Sequence, residues 1–185
     1  MNETIISVDH VVKKFGTETV LKDISFQIEK GKIYGIIGRN GSGKTVLFKC
    51  ICGLLNIDAG KIQVDRTQLG VIIEEPGFLR QFTGKRNLEL LAALSDKPHM
   101  DIVEVMTLVG LEDAINKKVG KYSMGMRQRL GIAQAIMENQ QILILDEPMN
   151  GLDNQGVGEM RELFIRLKET GITILLASHN REDIE

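Results

Sequence analysis

The chain contains the stretch Gly38-Arg39-Asn40-Gly41-Ser42-Gly43-Lys44-Thr45, which fits the pattern G-x-x-x-x-G-K-[ST] at every position. The apolar residues Ile33–Ile37 precede it and predict a strand, and a predicted helix follows from Lys44 to about Cys52. In this setting the glycines allow successive backbone N–H groups to turn toward one anion, and the helix N-terminus adds a partial positive charge. Lys44 is expected to reach the β- and γ-phosphates of a nucleotide, and the Thr45 hydroxyl to bind Mg²⁺.

The second half of the expected site lies at the end of another predicted strand. Four apolar residues, 142–145, are followed directly by Asp146 and Glu147. A continuous apolar run of this length is typical of a parallel strand that is buried on both faces. Asp146 at the end of this strand can hold Mg²⁺, and Glu147 is placed to polarise a water molecule that attacks the γ-phosphate. The sequence therefore predicts that a nucleoside triphosphate is hydrolysed as well as bound.

The other apolar patterns predict an α/β fold. Alternating apolar residues at 24, 26 and 28 indicate a half-buried strand, and residues 172–176 form a second continuous apolar strand. A helical pattern connects this strand to residues 142–145, which makes a right-handed βαβ unit. We expect a P-loop NTPase (RecA-like) core with a mainly parallel sheet, and an antiparallel β-subdomain early in the chain.

Helical patterns fill the middle of the chain. In one of them Leu88, Leu91 and Leu94 share a face. These patterns predict an all-helical subdomain, at about residues 78–135, that is inserted in the α/β core. We expect residues 1–185 to form a single nucleotide-binding domain.

Composition and charge exclude several classes of protein. The chain has 185 residues, a formal net charge of −2 and only 4% aromatic residues, so it offers neither the basic surface nor the stacking platform of a nucleic-acid-binding protein. The longest unbroken apolar run, residues 90–94, is far shorter than the roughly 20 residues of a membrane span. Residues 1–15 lack the charged start and apolar segment of a secretory signal. We therefore expect a cytoplasmic protein without a nucleic-acid partner.

Three more motifs accompany the phosphate stretch. Residues 122–129 read Tyr-Ser-Met-Gly-Met-Arg-Gln-Arg, residues 150–153 read Asn-Gly-Leu-Asp, and Ser178-His179 ends the last predicted strand. Together with residues 38–45 and the acidic pair, and in this order, they resemble the Walker A, signature, Walker B, D-loop and H-loop motifs of the ABC ATPases. The resemblance covers nearly the whole chain. It is specific because other P-loop classes lack the signature.

The resemblance implies a site for ATP and Mg²⁺ that is shared between two subunits. In ABC dimers the subunits pack head to tail, and each ATP lies between the Walker A motif of one subunit and the signature of the other. The residues that match ATP-contacting positions are Phe15, which would stack on adenine, Gly38, Arg39, Asn40, Gly41, Ser42, Gly43, Lys44, Thr45, Val46, Ser123, Gly125 and Asp153. The matching catalytic residues are Lys44, Glu147 as general base and His179, and the matching metal ligands are Thr45, Asp146 and Glu74.

The resemblance also implies what this ATPase serves. ABC transporters of this type combine ATP-binding subunits with a separate transmembrane subunit, so we expect a cytoplasmic protein that is peripheral at the inner face of the cell membrane and contacts it only through its partner. The segments Glu-Glu-Pro-Gly-Phe, residues 74–78, and Tyr-Ser-Met-Gly-Met, residues 122–126, are similar to the exporter branch associated with bacitracin and lantibiotic resistance. Export of antimicrobial peptides or drugs is the implied function.

Three features depart from the family pattern. Glu74 stands where the family usually has the Q-loop glutamine; its carboxylate still offers an oxygen to Mg²⁺ but adds negative charge beside the γ-phosphate. The signature reads Ser-Met-Gly-Met where Ser-Gly-Gly-Gln is the commonest form, and it retains the contact positions Ser123 and Gly125. The chain stops at Glu185, whereas family members usually continue through another helix and edge strands, so we expect that the C-terminal end of the usual domain is missing.

Other nucleotide-binding classes fit less well. A GTPase needs an Asn-Lys-x-Asp motif, and residues 116–119 read Asn-Lys-Lys-Val. A small-molecule kinase would carry neither the signature nor the D-loop. A non-hydrolysing regulatory module would be expected to lose Glu147. The alternative that stays open is a soluble ABC ATPase that works away from membranes, although such proteins resemble tandem chains or carry long coiled coils, and residues 78–119 show no sustained heptads.

Overall fold

The structure is a computed structural model that describes residues 3–183. The predictions that concern the two ends of the chain, at Met1 and Glu185, lie outside these residues. Within the described part, none of the helices combines the length and the apolar character that crossing a membrane requires.

Seven strands and five helices make up the regular structure of the described residues. The strands are β1 (Thr4–Phe15), β2 (Glu18–Glu29), β3 (Ile33–Ile37), β4 (Ala59–Val64), β5 (Leu69–Ile72), β6 (Ile142–Asp146) and β7 (Thr173–Ser178). The helices are α1 (Lys44–Ile51), α2 (Gly84–Ala92), α3 (Ile102–Leu108), α4 (Met124–Ile136) and α5 (Asn154–Glu169). Short 3₁₀ turns lie at Arg66–Gln68, Glu112–Ala114, Val119–Lys121 and Arg181–Asp183.

A parallel sheet in the order β3-β7-β6-β5 forms the centre of the fold. The side chains of β7 are all buried, and so are the first four of β6, which explains the continuous apolar runs in the sequence. In this register Ile37 pairs with Ser178, and Asp146 pairs with Ala177. The carboxyl ends of β3, β6 and β7 therefore meet at one edge of the sheet, where ligands of open α/β sheets bind.

An antiparallel sheet in the order β2-β1-β4 shares a buried cluster with one face of the parallel sheet. The long strand β1 was not predicted from the apolar pattern because bulges interrupt its alternation: its register against β2 shifts between Val8 and Val11. Helix α1 lies between the sheets, with Phe48 and Ile51 fully buried in a cluster that includes Ile6. This packing fixes the orientation of α1, and the N-terminus of α1 lies at the end of the phosphate stretch.

Helices α2, α3 and α4 follow β5 and pack with α5 into a second buried cluster. Each of the three begins at a side chain that accepts a hydrogen bond from the first turn: Thr83, Asp101 and Ser123. The prediction that Leu94 shares the inward face of Leu88 and Leu91 is wrong. Helix α2 ends at Ala92, so the side chain of Leu94 falls beyond the helical period and is 86% exposed.

Helix α5 connects β6 to β7 and carries the predicted inward stripe. Met160, Leu163, Phe164 and Leu167 are buried, at the spacing of one helix face. Its N-cap is Asp153, whose Oδ1 accepts a hydrogen bond of 2.8 Å from the N–H of Gly156. The connection from β6 to β7 thus includes the D-loop and α5. It brings the chain back to the edge of the sheet where β6 ended, at Ser178.

Candidate functional site

The phosphate stretch forms a tight loop between β3 and α1. Gly41 and Gly43 adopt φ values of 79° and 95°, a region that residues other than glycine rarely occupy. Gly38 has a different reason to be glycine, because a Cβ there would lie 2.5 Å from the hydroxyl oxygen of Ser42. The loop closes through the N–H of Ser42, which donates to the carbonyl of Arg39 at 3.0 Å. These glycines give the loop the backbone shape that can cradle a phosphate.

Lys44 brings a cation into the centre of this loop. Its side chain is buried, and Nζ donates to the carbonyl oxygens of Gly38 at 2.6 Å and Arg39 at 3.3 Å. Nζ also lies 3.2 Å from Oε1 of Glu147. The ammonium group is therefore held between the loop and the carboxylate that follows β6, where it can contact an anion bound in the loop.

Thr45 and Asp146 provide oxygen atoms beside the lysine. The Thr45 hydroxyl donates to Oδ2 of Asp146, while Oδ1 of Asp146 is buried and has no hydrogen-bond partner. Burial raises the pKa of the Asp146 carboxyl, and the charge of Glu147 acts in the same direction, against the bond from Thr45. The unsatisfied buried oxygen indicates a missing partner such as a cation.

These oxygens suit Mg²⁺, which proteins bind through one or two carboxylates together with substrate phosphates. In the described part of the chain no group of three or more His, Cys, Asp or Glu side chains could hold a metal by itself. A metal ion at Thr45 and Asp146 would thus need further ligands from a bound nucleotide. This is the arrangement expected for a nucleotide-dependent magnesium site.

Glu147 is fixed on both sides by its neighbours. Its φ of 51° is unusual for a residue with a side chain, and its N–H donates to the carbonyl of Ala177 at 3.0 Å. Oε2 lies 2.8 Å from Nδ1 of His179 and accepts from the His179 N–H at 3.3 Å. The structure therefore brings Lys44, Glu147 and His179 together, and a carboxylate in this position can accept a proton from water.

Glu74 lies at the entrance to the same region. With Asp146, Glu147 and other residues it lines a cavity of about 240 Å³. Its side chain is 83% exposed, and Oε1 is 3.6 Å from Nζ of Lys49 on α1. Sequence reasoning missed Lys49. The signal was available, because Lys49 follows Thr45 by one helical turn and so shares its face of α1.

The predicted signature and D-loop residues line a separate cavity of about 400 Å³, which includes Ser123, Gly125 and Asp153. Ser123 is the N-cap of α4, and its Oγ accepts from the N–H of Met126 at 3.2 Å. Within this chain these residues do not share the cavity of Glu147. They form an exposed surface at the N-termini of α4 and α5.

The remaining predicted ATP contacts are Phe15, Arg39, Asn40 and Val46. Phe15 ends β1 with 47% of its surface exposed, and Nζ of Lys13 lies 5.2 Å from the ring centroid. Arg39 and Asn40 are exposed at the turn of the loop. Val46 is half-buried in α1 and packs against the core. The exposed ring of Phe15 is free to stack on a planar group.

A glycine-rich loop that surrounds a lysine, with two carboxylates at the end of a neighbouring parallel strand, is the geometry of a P-loop nucleoside triphosphatase. The comparison with known families then specifies which one. The ABC transporter family matches residues 21–150, and the chain belongs to this family. It is the ATP-binding cassette of a transport ATPase, as the motifs predicted.

Curated relatives agree over almost the whole chain. An uncharacterised ABC transporter ATP-binding protein of Bacillus subtilis (strain 168) is 41% identical over 191 residues, which are 97% of this chain and 88% of the relative. A bacitracin transport ATP-binding protein of Enterococcus faecalis is 40% identical over 99% of this chain, which spans 64% of that relative. A lantibiotic transport ATP-binding protein of Streptococcus pyogenes is 33% identical, with 98% of this chain and 82% of the relative covered.

Solved structures confirm the predicted fold class. The cbiO1 protein of Clostridium perfringens, part of an ABC transporter complex, matches with a TM-score of 0.86 and 26% identity over 96% of this chain and 79% of its own. The ADP conformation of MJ1267, an ATP-binding cassette of an ABC transporter, matches with a TM-score of 0.84 over 98% of this chain and 84% of its own. The second likeness, at 24% identity, concerns the fold alone.

Proposed function

We propose that this cassette hydrolyses ATP to power export of antimicrobial peptides or drugs through a separate transmembrane subunit. The observation that carries the proposal is the contact of Glu147 with both Lys44 and His179 beside the phosphate loop. This arrangement places a proton acceptor next to the cation that would hold the γ-phosphate. The export function is supported by the relatives that are named for bacitracin and lantibiotic transport.

The working unit that we propose is a head-to-tail dimer of cassettes. Residues 1–185 would form one nucleotide-binding domain, in which the helical subdomain, about residues 78–135, presents Ser123 and Gly125 to the ATP of the other subunit. Support comes from their position at the N-terminus of α4, where Ser123 is exposed and the helix dipole favours an anion. The dimer would be cytoplasmic and peripheral at the inner face of the membrane.

The transmembrane subunit would dock on the segment 75–83, which follows Glu74. Two apolar side chains of this segment are displayed to solvent: Leu79 is 46% exposed and Phe82 is 38% exposed. Phe78, by contrast, packs against the helical core. An apolar pair on an otherwise polar surface is typical of an interaction site.

Leu79→Glu should abolish co-purification with the membrane subunit and leave ATP binding unchanged, because a charge in an apolar contact costs binding while an exposed position tolerates it in the free chain. The measurement is the set of polypeptides recovered with the chain from detergent-solubilised membranes. Val103→Glu, at a 40% exposed position on α3, is the matched control. If Leu79→Glu recovers the same membrane protein as the parent chain, docking does not use this segment.

Mg²⁺ would be held by Thr45 and Asp146, with Glu74 at the outer edge of the site. The bound metal supplies positive charge to the phosphates, and the protein residues fix its position. Asp146→Asn should weaken Mg²⁺-dependent ATP binding by more than about tenfold, since loss of even an indirect partner of a metal ligand costs that much. Titration of a fluorescent ATP analogue against Mg²⁺ measures it.

The same variant should melt at a higher temperature than the parent chain in the absence of nucleotide. The raised pKa of Asp146 means that its ionised form is less favourable in the folded chain than in the unfolded one. The neutral amide removes this cost. The gain should be largest well above the folded-state pKa of Asp146 and disappear in acid, where the carboxyl is protonated. An equal or lower melting temperature at neutral pH would contradict the role of burial.

Glu74→Gln should keep ATP binding and change turnover by no more than about threefold, because both side chains offer an oxygen to Mg²⁺ and differ mainly in charge. The ion pair with Lys49 is exposed, so its loss should cost little stability. Steady-state hydrolysis and nucleotide titration at several Mg²⁺ concentrations measure both effects. Complete loss of Mg²⁺-dependent binding in this variant would show that the carboxylate charge itself holds the metal.

A further inference from the structure

The N-terminus of α4 packs on the D-loop, residues 150–153, of the same chain. A Cβ placed on Gly151 would lie 2.7 Å from Sδ and 3.3 Å from Cε of Met124, so the thioether of Met124 lies directly against the Cα of Gly151. Gly151 adopts a φ of 76°, a conformation that residues with a side chain rarely adopt. Met124 is the second residue of the signature, where the commonest form has a glycine and could not make this contact.

Further contacts join the same two segments. Nε2 of Gln128, one helical turn after Met124, donates to the carbonyl of Asn150 at 3.3 Å. Cδ2 of Leu152 lies 3.6 Å from the position of a Cβ on Gly125. The next residue, Arg129, forms an ion pair with Glu159 of α5, the helix that follows the D-loop. The signature end of α4 and the D-loop are therefore one packed unit.

The D-loop is also hydrogen-bonded to the backbone of Glu147, the proposed general base. The N–H of Asn150 donates to the carbonyl of Glu147 at 3.1 Å, and the N–H of Leu152 donates to the carbonyl of Met149 at 3.2 Å. A short hydrogen-bonded turn therefore connects the backbone of Glu147 to Gly151. From there the contact with Met124 reaches the exposed surface at Ser123.

We propose that Met124 is a positioning residue that holds the signature turn against the D-loop of its own chain, so that the state of one ATP site sets the geometry offered to the ATP of the second subunit. The inference deepens the proposed function and rests on its head-to-tail dimer. A thioether suits this task because it is flexible and packs closely against a bare backbone. The methionine that replaces the usual glycine of the signature thus has a structural role in its own chain.

The first experiment tests the contact in the monomer without nucleotide. Hydrogen exchange of the D-loop peptide, read by mass spectrometry, reports opening of the Leu152 amide. Met124→Ala should raise this exchange about tenfold, and Met124→Leu, which keeps the side-chain volume, should restore it. Val103→Ala, at an exposed apolar position of α3, should leave it unchanged. Unchanged exchange in Met124→Ala, or no rescue by Met124→Leu, overturns the proposal.

The second experiment tests the consequence for assembly. In the Glu147→Gln background, which should retain ATP, Met124→Ala should weaken ATP-dependent dimerisation about tenfold, or 1.4 kcal/mol, while ATP binding to the dilute monomer stays within about twofold. Met124→Leu should restore dimerisation. Parent-like dimerisation of Met124→Ala overturns the proposal. If the Glu147→Gln parent itself forms no ATP-dependent dimer, the proposed assembly fails, and the exchange measurement still decides the contact.

Discussion

Glu147→Gln should bind ATP as tightly as the parent chain and hydrolyse it about 10²–10⁴ times more slowly, which is the usual contribution of a general base. The amide keeps the shape of the side chain and can still donate to or accept from its neighbours, but it cannot take a proton from water. Binding depends instead on the phosphate loop and Lys44, whose bonds to Gly38 and Arg39 do not involve Glu147. Single-turnover and steady-state hydrolysis measure the effect.

This variant should also accumulate an ATP-bound dimer that can be seen by size-exclusion chromatography. In the proposed head-to-tail dimer each ATP is shared by two subunits, so ATP that is not hydrolysed keeps them together. Glu162→Gln, on the exposed side of α5, is the matched control and should behave as the parent. Hydrolysis within a few-fold of the parent would refute the assignment. Loss of ATP binding would instead assign Glu147 to the fold or to the metal site.

Lys44→Met should lower ATP affinity about 100-fold, because hydrogen bonds to charged groups contribute about 1.5–3 kcal/mol each and the ammonium is placed to make more than one with the phosphates. Methionine keeps most of the buried aliphatic stem and removes the ammonium group, with its charge and its hydrogen-bond donors. A fluorescent ATP analogue measures the affinity, and the melting temperature without nucleotide shows whether the fold is intact. Lys22→Met, at an exposed position of β2, is the control.

The same substitution leaves Oε1 of Glu147 without its cation, so a modest loss of stability should accompany the loss of affinity. ATP affinity within about threefold of the parent in a well-folded Lys44→Met chain would contradict the placement of the lysine at the phosphates.

The sequence was sufficient to predict the elements that carry a strong local pattern. In two places a short apolar run is followed directly by a recognisable motif. One is the glycine-rich stretch 38–45, and the other is the acidic pair that begins at Asp146. For this reason the parallel sheet could be expected from the sequence. His179 followed only from the resemblance to the ABC ATPases, and the direct contact of Glu147 with Lys44 was not predicted. The helix starts at Thr83, Asp101 and Ser123 were not predicted, although each has a capping side chain that the sequence displays.

Other features depend on contacts between segments that are distant in sequence. The helical spacing from Thr45 places Lys49 on the site face of α1, but its ion pair with Glu74 also depends on the path of the loop after β5, which no local pattern specifies. The exposure of Leu94 depends on where α2 stops, and helix ends are less determined than helix interiors. The contact of Met124 with Gly151 joins two motifs whose sequences reveal no mutual dependence.

The position of β3 at the edge of its sheet has a consequence for synthesis on the ribosome. Its neighbour in the sheet is β7, so the pairing of Ile33 with Ile174 can form only after β7 has been synthesised. The phosphate loop is thus translated early. The strand that precedes it is held in the sheet only after nearly all of the described chain has emerged from the ribosome. Such non-local pairing is slow and leaves apolar strands exposed in the meantime. A nascent chain halted before β7 should therefore be unable to retain ATP and should depend on chaperones until β7 has been synthesised.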